Sequence, residues 1–147
     1  MAKQLKQIYQ FKVALQYCEK PVWRRILVPE NYSFWDLHVA IQDAMGWYDC
    51  HLHEFEMIDP KFGERVVIGS PNEEFDDVPV IAETKSRIKN YFSPSNKVAT
   101  YIYDFGDHWV HKVTLEKIIS AETGQKYPQC VAGKRACPPE DCGGVYG

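Results

Sequence analysis

Three groups of residues in this 147-residue chain carry side chains able to do chemistry. His51-Leu52-His53 puts two imidazoles on one face of a strand, a spacing that metal sites use. Cys130, Cys137 and Cys142 crowd the C-terminal stretch. Thiolates are soft ligands suited to zinc, and Pro138-Pro139 stiffens the loop between Cys137 and Cys142. With Cys130 as a third ligand and His53 or His51 as the fourth, they would complete a tetrahedral zinc site. The structural alternative is a rigid Pro/Gly loop with reduced thiols, since the usual second tight cysteine pair is missing. The third group is Asp104, Asp107, His108 and His111. A carboxylate beside an imidazole raises its pKa and fixes its tautomer, as a general base requires. The same pairing also satisfies an ordinary turn, and perturbed groups occur in structural networks too.

Arg24 falls on an apolar strand face. A buried arginine needs a partner, and Asp104 or Glu54 is expected to supply it. Arg24, His51, His53 and Trp109 are therefore candidate binding residues. Asp104, Asp107, His108 and His111 are candidate catalytic ones. No phosphate loop, nucleophile elbow or helical zinc-protease motif is present.

The elements that must position these groups follow from periodicity. Tyr101, Tyr103 and Phe105 share one face of a strand, and Trp109, His111, Val113 and Leu115 one face of the next. Gly106 is expected to take the positive φ at the corner between them. Leu5–Tyr17 alternates apolar and polar residues as a long strand with one wet face. Val22–Val28 is its hairpin partner, with Val22, Arg24, Ile26 and Val28 on one face. Ser33 is an N-cap with Asp36 as capping-box partner, Phe34, Leu37, Ile41, Ala44 and Met45 form a helical stripe, and Gly46 is the C-cap. His51–Ile58 and Glu64–Ile68 read as strands. Gly69–Asp77 is an acidic loop, and Ile81–Phe92 a short helix with Ile81, Ile88 and Phe92 inward. Strands in runs predict an α+β domain, a mostly antiparallel sheet with one main packed helix, β-grasp-like at its N-terminal half.

Composition bounds the function classes. A 45% hydrophobic content suits one globular domain spanning residues 1–147. The net charge of −3 argues against a protein-wide nucleic-acid footprint, which would be basic. An odd cysteine number without an apolar leader argues against a disulfide framework and predicts a cytoplasmic protein. The ending on Gly143-Gly144-Val145-Tyr146-Gly147, without a capped element, predicts further residues beyond Gly147.

Several motifs together resemble the plasmid Ri ORF-three-like domains, passenger proteins of insertion elements. They are Val22-Trp23-Arg24-Arg25-Ile26-Leu27-Val28-Pro29, Gly46-Trp47, His51-Leu52-His53-Glu54-Phe55, Tyr103-Asp104-Phe105-Gly106-Asp107-His108-Trp109-Val110-His111 and Ala136-Cys137-Pro138-Pro139-Glu140-Asp141-Cys142-Gly143-Gly144. The resemblance covers nearly the whole chain and implies an α+β domain associated with mobile elements. Some members carry a resolvase-like label, but the serine-recombinase pattern is absent here. In that family Gly-Gly is typically followed by Gly-Tyr and a helical tail, from which Val145-Tyr146-Gly147 departs. The leading expectation is a non-catalytic binding or accessory module with a protein or nucleic-acid partner and no membrane association. The alternative is a zinc-dependent hydrolase built on the histidine and cysteine cluster.

Overall fold

The computed structural model describes residues 6–71 and 78–135. Their strands form one eight-stranded sheet. In chain order the elements are β1 (Gln7–Leu15), β2 (Val22–Pro29), α1 (Phe34–Met45), β3 (His53–Ile58), β4 (Arg65–Gly69), β5 (Val80–Ala82), a 3-10 turn (Ile88–Asn90), β6 (Val98–Tyr103), β7 (Trp109–Ser120) and β8 (Gln129–Lys134). Across the sheet the order is β5-β4-β3-β6-β7-β1-β2-β8. Every neighbouring pair is antiparallel except β4 with β5. The domain is α+β, as its run of strands predicts. Among the described residues no helix is long and apolar enough to cross a membrane.

The period-two pattern sets which face is dry. Tyr9, Phe11, Val13 and Leu15 are buried along β1, and Val22, Ile26 and Val28 along β2. Tyr101, Tyr103, Trp109, Val113 and Leu115 continue the same core through β6 and β7. The first strand is shorter than its alternation suggests. Tyr17 turns to a φ of 64° and is exposed, because the chain must reverse there into β2. On the wet face Arg25 makes a two-pronged contact to Glu116, at 2.7 and 3.1 Å, and Lys12 and Arg25 each lie 5.0 Å from the Trp23 ring.

Helix α1 starts and stops where its caps dictate. The Ser33 hydroxyl accepts from the Asp36 N–H, the Asp36 carboxylate accepts from the Ser33 N–H, and Gly46 closes the helix at φ 77°. Phe34, Leu37, Ile41 and Met45 face the sheet, with Phe34 against Phe55, Tyr91 and Phe92.

The expected helix over Ile81–Phe92 does not form. Residues 80–82 instead add to β4 as a parallel strand. The segment after them carries carbonyls that the start of α1 needs. Ser86 accepts from the Phe34 N–H and Glu83 from the Trp35 N–H, so two orphan donors of a helix N-terminus are met from outside. Ile88 and Phe92 do point inward.

The β6–β7 corner also differs in one detail. The left-handed conformation falls on Asp104 (φ 61°) and His108 (φ 60°) rather than on Gly106. The Asp104 carboxylate accepts from the Gly106 and Asp107 N–H groups, and aspartate tolerates that conformation because it can bond locally in this way.

Candidate functional site

Polar side chains from α1, β3 and the segment after β5 meet beneath an open cleft. His38 and Gln42 are one helical turn apart on α1, on the flank of its apolar stripe, and both are buried. Gln42 Nε2 donates to the Tyr101 hydroxyl at 3.0 Å. That hydroxyl lies 2.6 Å from His38 Nδ1, and its own proton is free to donate there. The His38 proton then sits on Nε2 and donates to Asp49 Oδ1 at 2.7 Å. The Asp49 N–H donates to Gln42 Oε1 at 2.9 Å, which closes a ring of four residues. Burial, and then the neighbouring His53, hold the His38 imidazole below its ordinary pKa against the opposing pull of Asp49 and Glu83. Burial likewise drives the Tyr101 hydroxyl well above its usual range.

His53 lies directly on His38. The ring centroids are 3.4 Å apart and the planes 7° from parallel. The Nε2 of His53 faces both oxygens of Glu83, at 2.8 and 2.9 Å, in a pair whose side chains are only 7% and 4% exposed. Trp35 tilts over both rings, 5.1 Å from His38 and 6.0 Å from His53. Each of His38, Asp49 and His53 offers one ring nitrogen or carboxylate oxygen within 4.8 Å of the others.

Above this floor opens a cleft of about 520 Å³. Trp35, Leu52, Val67, Val80 and Phe105 give it apolar walls, and Asp49, His51, His53 and Glu54 add polar groups. Leu52 is 68% exposed, Phe105 46% and Trp35 38%, so its rim is apolar surface open to solvent.

The candidates named from sequence separate here. His51 and His53 both reach the cleft, and His51 Nε2 lies 3.5 Å from Asp104 Oδ2. A carboxylate beside an imidazole is therefore present, but the imidazole comes from His51. His108 is exposed at the end of the turn and donates its main-chain N–H to the Asp104 carbonyl. Asp107 N–H serves the same turn.

His111 is a core residue rather than a surface base. It is fully buried, donates from Nδ1 to the Tyr101 carbonyl at 3.1 Å, and burial pushes its pKa down to about 4. Trp109 is also fully buried, with its ring 5.7 Å from Trp47, so it builds the core and does not face a partner. Trp109 Nε1 and His111 Nε2 have no hydrogen-bond partner among the described residues.

Among the described residues Arg24 is not paired with Asp104 or Glu54, the two partners expected for it. Its guanidinium donates to the main-chain carbonyls of Ala44 at 3.0 Å, Trp23 at 2.8 Å and Lys134 at 3.3 Å, which ties the end of α1 to β2 and β8. Asp104 is engaged with its own turn and with His51. Cys130 is exposed on β8, five places along the sheet from β3, and is not among the ligand atoms that gather round His53. Cys137 and Cys142 lie outside the described residues.

His38, Asp49 and Glu83 carry no motif. The available signal was a histidine and a glutamine four residues apart beside an apolar helical stripe, which on a packed helix demands buried partners.

A family model for plasmid pRiA4b ORF-3-like proteins matches residues 7–147. The chain belongs to the plasmid pRiA4b ORF-3-like protein family. The match takes in His51, His53 and the whole β6–β7 hairpin. Among curated relatives, the uncharacterised protein y4hQ of Sinorhizobium fredii (strain NBRC 101917 / NGR234) is 37% identical over 140 residues, 95% of this chain and 69% of that protein. Among solved structures, the crystal structure of MM3350, a protein of unknown function from Methanosarcina mazei Go1, superposes with a TM-score of 0.91 at 48% identity. That match covers 97% of this chain and 78% of the other.

Proposed function

We propose that this member of the plasmid pRiA4b ORF-3-like family is a non-catalytic binding module that takes an apolar side chain of a protein partner into the Trp35–Phe105 cleft. One observation carries the reading. Trp35, Leu52 and Phe105 are exposed together around a concave space of about 520 Å³ whose floor is fixed by a hydrogen-bonded network. Apolar surface that rims a pre-formed cleft with a few placed polar groups is the usual form of a binding site. A protein partner fits better than nucleic acid. The chain carries a net charge of −3, and Asp49 and Glu54 add acid to the cleft where a nucleic-acid surface would be basic. A cytoplasmic setting and an accessory role beside mobile elements belong to the same proposal.

Selection of a random peptide library on the full chain tests it. Recovered peptides should share an aromatic or aliphatic anchor and lose affinity at least tenfold for Trp35→Ala, while Tyr48→Ala, an exposed aromatic outside the cleft, leaves binding unchanged. Peptides without a shared anchor, or indifferent to Trp35→Ala, would contradict it.

A second reading, zinc-dependent hydrolysis, is favoured by the convergence of His38, Asp49 and His53 at the cleft floor. It assigns His51, beside Asp104, as the group nearest a substrate water. Its test is turnover of activated esters and phosphoesters by zinc-loaded protein. Turnover that His51→Gln removes would favour this reading over the first.

A further inference from the structure

We infer that His38, Asp49 and His53 form a binding site for one divalent first-row transition-metal ion at the floor of the cleft. The inference goes beyond the cleft's role toward a partner and does not depend on it.

Distance is the first support. The three donor atoms lie within 4.8 Å of one another, although they come from α1, the loop after it and β3. Zinc binds histidine nitrogen and carboxylate oxygen at about 2.0–2.2 Å, so two donors on one ion stand roughly 3–4 Å apart. For both histidines to share one ion, their rings, stacked 7° from parallel, must tilt apart so that the nitrogen lone pairs converge.

The donor set also selects the ion. Two imidazoles with one carboxylate suit zinc, cobalt or nickel, whereas magnesium and calcium favour oxygen ligands.

Support from neighbouring residues is already in place. The Tyr101 hydroxyl fixes His38 through Nδ1, which leaves Nε2 directed at Asp49, and an ion would replace the Nε2 proton there. Glu83 orients His53 from a nearly enclosed position. Gln42 holds both Tyr101 and the Asp49 main chain. Two carboxylates, Asp49 and Glu83, lie close enough to offset the charge of a divalent ion.

Access completes the case. The Asp49 side chain is 36% exposed, and Asp49 and His53 both line the open cleft. Three protein donors leave further coordination positions on that side. Cys130 lies across the sheet on β8 and is not part of this donor set.

Titration of the chelator-treated full chain with Co2+, followed by visible absorption, and with Zn2+, followed by calorimetry, tests this site. One ion per chain is expected, with d–d bands and no near-ultraviolet thiolate charge-transfer band. Asp49→Asn and His53→Gln should each weaken binding at least tenfold. Asp49→Asn keeps an acceptor for His38, so its metal-free unfolding curve should remain cooperative and the loss be attributable to the ligand. No saturable binding, unchanged affinity in Asp49→Asn, or a thiolate band showing sulfur ligation would each overturn the assignment.

Discussion

The imidazoles of His38 and His53 stack face to face, 3.4 Å between centroids and 7° from parallel, although one comes from the helix and the other from an inner strand. Two imidazolium ions in that arrangement would repel strongly in a buried setting. Each ring instead has its own carboxylate, Asp49 for His38 and Glu83 for His53. The stack joins α1 to β3 beneath the cleft and makes the floor of the site a polar unit inside an apolar core.

Neutral His38 should therefore be protonated on Nε2, with Nδ1 accepting from Tyr101. Tyr101→Phe removes the hydroxyl shared by His38 and Gln42 and leaves two buried groups short of a partner. Its expected cost is about 1–3 kcal/mol. Urea unfolding gives the cost, and nitrogen-15 spectra of the imidazole ring report the tautomer. A stability equal to that of the parent chain would contradict the closed ring of bonds.

Stability should fall on mild acidification because of His111. Its native pKa is lowered from 6.5 to about 4 by burial. Above pH 6.5 neither the native nor the unfolded chain holds the proton. Between there and about pH 4 the unfolded chain takes up a proton that the native core refuses. Stability is then lost as pH falls, by about 3 kcal/mol once pH 4 is reached. His38, also shifted down, adds to the loss in the same direction. Urea unfolding at pH 7.5 and pH 4.5 should show this slope, and His111→Phe should flatten part of it.

Gly133 is fixed by contact rather than by conformation. A Cβ there would lie 2.8 Å from Arg24 Cδ and 3.0 Å from the Trp23 carbonyl oxygen. The Arg24 side chain cannot swing away without giving up its bonds to Ala44 and Trp23. Gly133→Ala should destabilise the domain by roughly 1–3 kcal/mol through overpacking. Hydrogen exchange should then quicken first in β8. Unchanged protection there would mean that β8 is not held in this way.

Much of this architecture is legible in the residues, because local rules and the tertiary structure agree there. The caps Ser33, Asp36 and Gly46 delimit α1, and a largely alternating pattern marks β1, β2, β6 and β7. The 81–92 segment misleads because Ile81, Ile88 and Phe92 keep helical spacing while the backbone is claimed by β4 and by the start of α1. Tertiary hydrogen bonding overrides periodicity at that point. The site was only half legible. The histidine pair of His51 and His53 is visible as a motif, whereas His38, Asp49 and Glu83 are joined to it only by the fold. Trp109 and His111 share a motif with Asp104 and Asp107, yet strand alternation sends them into the core.

The most direct test of the account is the location of binding on the molecule. A peptide recovered by selection, titrated into nitrogen-15-labelled protein, should shift the Trp35 indole N–H and the amides of Asp49, Leu52, His53, Val67 and Phe105. Those residues line the cleft. Shifts confined to the opposite face of the sheet, around Lys12, Trp23 and Arg25, would contradict the assignment of the cleft as the binding surface.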